Sequence, residues 1–257
     1  LKKTVSILGC GWLGVPLAEF LIQNGYTIKG STRTEEKLQP LKSKNIHPFL
    51  IDLENLSHNI SEFLDTDILI IATTCKNNNA FKNLISHIRL SRAEAVIFIS
   101  STSVYPMLNR VVTENDKTID SPLAAIENLF ISNTDLSSII IRFAGLIGPK
   151  RNPAWFFRNG KTIKHPQGFV NLIHLTDCIH IIHLIIKKNI KNEILNACTD
   201  AHPKRLDFYT EIMKRIGRTT PAIETPEQLK YKIISNKKIK KLLDYEFVYQ
   251  NLLDIKY

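Results

Sequence analysis

The chain of 257 residues carries 34 Lys and Arg against 24 Asp and Glu, a net charge of +10, with 44% hydrophobic residues and only 10 Gly and 11 Pro. That is enough apolar surface to bury a core, which excludes a mainly disordered, low-complexity or collagen-like chain. No apolar run reaches the ~18 residues a membrane span needs, so no membrane partner is expected.

Strand and helix patterns alternate from the start. Residues 4–8, Thr-Val-Ser-Ile-Leu, form a β-rich run ended by glycine, and 15–24 read as a helix with Leu17, Phe20 and Leu21 on one face and Gly25 as its stop. Strands are expected at 26–29 and 48–53, and at 67–72, whose near-continuous apolar run suits a strand buried on both faces. A helix over 80–90 and strands at 95–99 and 138–142 follow. This order predicts an α/β fold of the Rossmann type, a doubly wound parallel sheet. After Gly148-Pro149 the texture changes: 151–168 read as loop, 176–187 and 206–216 as helices, and the tail from Asn236 as a short helix with an aromatic cluster. The expected division is a nucleotide-binding Rossmann domain over 1–150 and a smaller C-terminal lobe over 151–257, with 170–190 returning to pack on the first domain.

Cys10, Cys75, Cys178 and Cys198 form no C-x-x-C pair, which argues against a structural zinc site. With no signal-peptide pattern, a reduced cytoplasmic protein is expected. The basic residues cluster late, at 187–191 and 230–241, without aromatic interleaving. Solvated lysines or an anionic small molecule explain them better than a nucleic acid, which is not expected as a partner.

The strongest local signal is Gly9-Cys10-Gly11-Trp12-Leu13-Gly14, which follows a strand and opens a helix. Gly9 allows the tight turn, Gly11 lets backbone approach a pyrophosphate, and Gly14 lets helix and strand pack closely. The helix N-terminus then holds the diphosphate. The end of the second strand reads Gly30-Ser31-Thr32-Arg33-Thr34, with no acid before Glu35 and with Arg33 lying 19 residues past Gly14. An NAD site wants an acid there, whereas Ser31, Thr32 and Arg33 suit the 2′-phosphate of NADP, so NADP is favoured over NAD. Asp52 and Leu53 at the end of strand three are candidates for the adenine, Asp52 having helix capping as its alternative role. Ala72, Thr73 and Thr74 stand at the carboxyl end of strand four, where ligands of such sheets bind.

Ser100-Ser101-Thr102-Ser103-Val104-Tyr105 closes the next strand with hydroxyls fit to bond a carbonyl or alcohol. With this run and the glycine turn, with Arg142-Phe143-Ala144-Gly145-Leu146-Ile147-Gly148-Pro149, Asn171-Leu172-Ile173-His174-Leu175-Thr176-Asp177 and Leu195-Asn196-Ala197-Cys198, the chain resembles the extended short-chain dehydrogenases/reductases, the superfamily of NAD(P)-dependent epimerases and dehydratases. More narrowly it resembles an atypical bacterial branch, the YeeZ-like nucleoside-diphosphate-sugar epimerases. The resemblance implies an oxidoreductase or epimerase acting on a nucleotide sugar or other polar carbonyl or alcohol substrate, in a monomer or homodimer. It also implies a catalytic Ser or Thr, which falls on Ser101, and a Tyr-x-x-x-Lys pair.

That pair is missing. Its region reads Asp120-Ser121-Pro122-Leu123-Ala124-Ala125-Ile126-Glu127-Asn128, so Pro122 or Leu123 replaces the Tyr, and Ile126 or Glu127 the Lys. Neither replacement donates a proton or lowers a neighbouring pKa as the family pair does. Tyr105, with packing as its alternative role, or a residue of the irregular loop that holds Lys161, Lys164 and His165 is left to supply the proton. His174 reads as structural, and His180 and His183, at i and i+3, lack a third ligand, so no metal is expected. The alternative function is an NADP-binding redox sensor or regulatory protein without turnover.

Overall fold

A computed structural model describes residues 2–56, 60–224 and 227–255. The chain divides into two compact units: the first holds residues up to Ser100, Asp120–Ile141 and Ile185–Ile194, and the second holds Ser101–Ile119, Arg142–Leu184 and the chain from Leu195 onward. No helix among the described residues is long and apolar enough to cross a membrane.

The central sheet has seven strands: β1 (Thr4–Leu8), β2 (Thr27–Thr32), β3 (His47–Leu50), β4 (Ile68–Ile71), β5 (Ala95–Ser101), β6 (Ser138–Phe143) and β7 (Glu193–Ala197). They lie in the order β7-β6-β5-β4-β1-β2-β3, a parallel sheet of Rossmann type. The order reverses beside β1, which pairs with β2 on one side and β4 on the other. In open sheets of this kind the crevice for a ligand opens at the carboxyl ends of those strands.

Between the strands run α1 (Gly14–Gln23), α2 (Leu38–Lys42), α3 (Ile60–Leu64), α4 (Asn78–Arg89) and α5 (Pro122–Ile131). Asn77 caps α4, its side chain accepting from the amides of Asn79 and Ala80. Ser121 caps α5 ahead of Pro122, whose missing N–H costs nothing in the first turn. The apolar faces of these two helices meet the sheet through Phe81, Phe98 and Phe130, the last two stacked with centroids 5.1 Å apart. All four residues of β4 are buried, as its apolar run predicts.

In the second unit, α6 (Leu175–Lys187), whose last turn belongs to the first unit, α7 (Arg205–Arg215) and α8 (Lys237–Leu243) accompany three short parallel strand pairs. Its core gathers Ile147, Leu172, Phe208, Ile212 and Leu252.

Some element bounds differ from the sequence pattern. β2 runs on through the polar Gly30-Ser31-Thr32, because β1 and β3 supply ladder partners whatever the side chains. β3 stops at Leu50, since Asp52 opens a turn by accepting from the amide of Glu54 and the side chain of Asn55. The stretch 151–168, expected to be loop, contains a 3-10 helix over Pro153–Gly160, started by Asn152, which accepts from the Ala154 amide. The edge strand β7 and the helices α3 and α5 have no counterpart among the elements expected from the sequence pattern.

Candidate functional site

The first unit holds a cavity of about 230 Å³ at the carboxyl ends of β1, β2 and β4. Gly9, with φ +105, makes the turn out of β1, and a Cβ there would meet the Ala72 carbonyl oxygen at 2.6 Å. A Cβ on Gly14 would meet the Gly9 carbonyl oxygen at 2.3 Å, so this glycine lets α1 sit against the turn. Gly11 differs from both: nothing lies within 4 Å of the Cβ it lacks. The backbone there faces open space in the way a diphosphate cradle requires. The start of α1 has no side-chain cap and no acid in its first turn, which leaves its positive end for an anion, although Val15 N–H bonds the Gly11 carbonyl and Pro16 has no N–H.

The end of β2 forms the second wall. Ser31 is buried and stitches the glycine turn in place: its hydroxyl accepts from Gly9 N–H at 2.9 Å and its carbonyl from Cys10 N–H at 2.8 Å. Thr32 accepts from the Thr34 amide at 3.1 Å. Arg33 and Lys37 line the cavity, whose lining includes no carboxylate. Leu53, Ala72, Thr73 and Thr74 complete the wall, together with Leu8, Cys10, Thr34 and Ile51, which sequence reasoning did not single out. Lys37 was legible only as the next cation one helical turn beyond Arg33. Burial pushes the Cys10 thiol up to about 12, so this cysteine is a packing group.

The remaining cofactor candidates lie to one side of this lining. Asp52 borders an adjoining cavity with Arg33, Leu53, Thr73 and Thr74. The Asn55 and Glu54 hydrogen bonds, with Arg33 adding a smaller electrostatic pull, lower its carboxyl below the usual range. Leu13 is buried, and Trp12, Leu13 and Gly14 build the turn without lining either cavity. The parts present therefore fit a dinucleotide: an open backbone cradle, an uncapped helix start and two cations.

Ser101 and Tyr105 belong to the second unit. Ser101 is half-buried and starts a 3-10 turn over Thr102–Val104, its hydroxyl accepting from the Ser103 amide at 3.1 Å. Tyr105 is buried, and its hydroxyl is doubly engaged, accepting from Arg142 at 2.5 Å and donating to Asn196 at 2.9 Å. Burial raises the phenol above its ordinary range despite the neighbouring guanidinium. Lys232, distant in sequence, closes the turn: its Nζ donates to the carbonyls of Thr102 at 2.8 Å and Tyr105 at 2.6 Å. Burial, with Arg205 as a smaller cause, lowers this lysine to about 8.

In the first unit, Glu127 on α5 is buried and accepts a hydrogen bond from the Ser100 hydroxyl. Beside it Ile126 is fully buried in the apolar core. His174 and Asp177 are also buried, Asp177 accepting from the Tyr245 hydroxyl and the Val248 amide, both at 2.7 Å. Among the described residues no group of three or more His, Cys, Asp or Glu side chains is placed to hold a metal ion.

The reversed sheet order, the glycine turn and the crevice beside it define a Rossmann-type protein with the fold of the NAD-dependent epimerases and dehydratases. Residues 4–121 match the family described as the NAD binding domain of 6-phosphogluconate dehydrogenase. Among solved structures, MoeE5 in complex with UDP-glucose and NAD has a TM-score of 0.80 at 18% identity, covering 98% of this chain and 95% of its own. UDP-glucuronic acid 4-epimerase from Bacillus cereus, in complex with NAD, has a TM-score of 0.76 at 18% identity, covering 95% of this chain and 94% of its own. Protein YeeZ of Escherichia coli strain K12 is 31% identical over 269 residues, 98% of each chain. The chain belongs to the YeeZ family.

Proposed function

We propose that this protein binds NADP(H) in preference to NAD(H) in the first-unit cavity and acts on a nucleotide sugar or another polar carbonyl or alcohol compound. The observation that carries the reading is a cavity at the switch of strand order that joins the open Gly11 backbone to Arg33 and Lys37 with no carboxylate in its lining. In this reading the 9–14 turn and the positive end of α1 hold the diphosphate. Arg33 and Lys37, with Ser31 and Thr32 shaping the wall, take the 2′-phosphate. Leu53 and Asp52 border the adenine, and Ala72, Thr73 and Thr74 form the floor. The bound cofactor supplies hydride chemistry. Ser101 orients the substrate oxygen. Tyr105, its hydroxyl held by Arg142 and Asn196, or a residue of the 151–168 stretch supplies the proton. The nucleotide-sugar class draws on MoeE5, whose structure holds UDP-glucose.

A second reading, cofactor binding without turnover, is favoured by that same engaged hydroxyl and by Ile126 and Glu127 on α5 where the family resemblance calls for a lysine. One set of measurements separates the two. Losing a charged hydrogen bond costs roughly 1.5–3 kcal/mol, so Arg33→Ala weakens NADPH binding about tenfold or more by calorimetry and leaves NADH nearly untouched. Equal losses for both cofactors would remove Arg33 from the phosphate site. Hydride transfer across a panel of nucleotide sugars and small carbonyl compounds, lowered about 10²-fold or more by Ser101→Ala, supports the enzyme. Tight NADPH binding with no turnover across the panel supports the second reading.

A further inference from the structure

The second unit contains a cavity of about 430 Å³ whose walls include Gly148, Lys150, Asn152, Trp155, His174 and Arg218. We propose that it binds a phosphate monoester whose organic body packs on Trp155. The inference concerns residues of the second unit only and does not depend on the cofactor reading of the first.

Three kinds of donor converge on this cavity, and no carboxylate lines it. Lys150 and Arg218 have no acidic partner among the described residues, although the chain's other cations often do. Arg218 reaches the cavity because α7 ends in a left-handed Gly217, φ +68, with Gly217 N–H bonded to the Lys214 carbonyl and Arg218 N–H to that of Met213. This glycine-capped exit turns the chain sharply after the helix. Lys150 sits at φ +61, uncommon for a residue with a side chain, in a tight turn where the amide of Arg151 bonds the Gly148 carbonyl at 2.9 Å.

His174 supplies the third donor, with its tautomer set by its neighbours. Its Nδ1 accepts from the Thr176 amide at 3.2 Å, which leaves the proton of the neutral ring on Nε2. Burial lowers the imidazole below its ordinary range, so the neutral form is the relevant one. The side chain is only 8% exposed, and its Nε2 has no partner among the described residues. His174 lines the cavity, so this N–H, with no acceptor among the described residues, is a donor for a phosphate oxygen there. Charge-assisted bonds from Lys150 and Arg218 complete an anion site. Trp155 is 39% exposed, with the Arg158 guanidinium 4.4 Å from its ring centroid, and offers the apolar surface for the rest of the ligand.

The test exploits the fact that Trp12 and Trp155 are the two tryptophans of the chain. In the full-length Trp12→Phe protein, Trp155 fluorescence is titrated with AMP, ribose 5-phosphate and inorganic phosphate, with calorimetry in parallel. The expected result is saturable binding of both esters, tighter than inorganic phosphate. It weakens about tenfold in Lys150→Asn, which keeps a residue tolerant of positive φ, and in Arg218→Gln. Binding is unchanged when Gly11→Leu is added to block the first-unit turn, and in Lys188→Gln, a lysine of the exposed basic run. Absence of saturable binding overturns the proposal, as does an equal loss in Lys188→Gln, which would indicate diffuse charge attraction. Loss of binding with Gly11→Leu assigns the ester to the first-unit cavity and overturns it too. Inorganic phosphate binding as tightly as both esters shows a bare anion contact, against the proposed ligand.

Discussion

Gly11 and Lys232 show how single residues carry opposite kinds of information. Gly11 has open space where a Cβ would stand and does not sit at positive φ. Gly11→Leu is therefore expected to fold normally by circular dichroism yet lose measurable NADPH affinity by calorimetry, because the side chain fills the approach of the diphosphate. Retained affinity in a folded variant removes the turn from the site. Lys232 is buried with its charge directed at two carbonyls, and its folded-state pKa, about 8, lies below the ordinary lysine value. A lysine depressed in the folded state binds fewer protons there than in the unfolded chain between those two values, so stability rises with pH across that window. Below about 8 both states hold the proton and the burial penalty is present in full. Lys232→Met removes this dependence. The wild-type minus variant stability, from urea midpoints, is expected to increase by about 1–3 kcal/mol from pH 7 to 10. A flat difference means that the lysine titrates normally.

Among elements, α4 and α5 depend on their caps and on one aromatic cluster. Asn77 receives two amides and Ser121 one, so Asn77→Ala and Ser121→Ala should each lower stability by about 1 kcal/mol, read from chemical denaturation. Phe98, fully buried between Phe81 and Phe130, is costlier to remove: Phe98→Ala should lose about 3–5 kcal/mol. A loss below 1 kcal/mol would mean that the cluster collapses around the gap. The β2 end is also an element-scale feature. Ser31 ties it to the glycine turn, so substitutions there act on the cofactor cavity through the backbone as well as through lost hydroxyls.

For the molecule as a whole, the core clusters among the described residues include one around Phe81, Phe98 and Phe130 and another around Phe208, Ile212 and Leu252. A ligand that binds only the folded state stabilises it by about 2.7 kcal/mol at a hundredfold excess over Kd. NADPH at that excess should accordingly raise the melting temperature of the first unit in wild type and leave Gly11→Leu unmoved, as scanning calorimetry reports. An equal shift in both proteins would place NADPH elsewhere.

The sequence by itself determined the features that follow from local physics. The G-x-G-x-x-G turn after a short strand, the alternation of β and α periods and the apolar run of β4 specify a Rossmann-type sheet, because strand period, helix period and glycine geometry depend on neighbours a few residues away. Arg33 was legible for the same reason, at a fixed distance along one β-α-β unit. Tertiary structure decided the rest. The hydroxyl of Ser31 turns to Gly9, Lys37 joins the cavity wall, and Glu127 meets Ser100 across the sheet–helix interface. Lys232 reaches Thr102 over a separation of 130 residues. No spacing rule encodes such a contact, since it depends on how distant segments pack once the chain has closed.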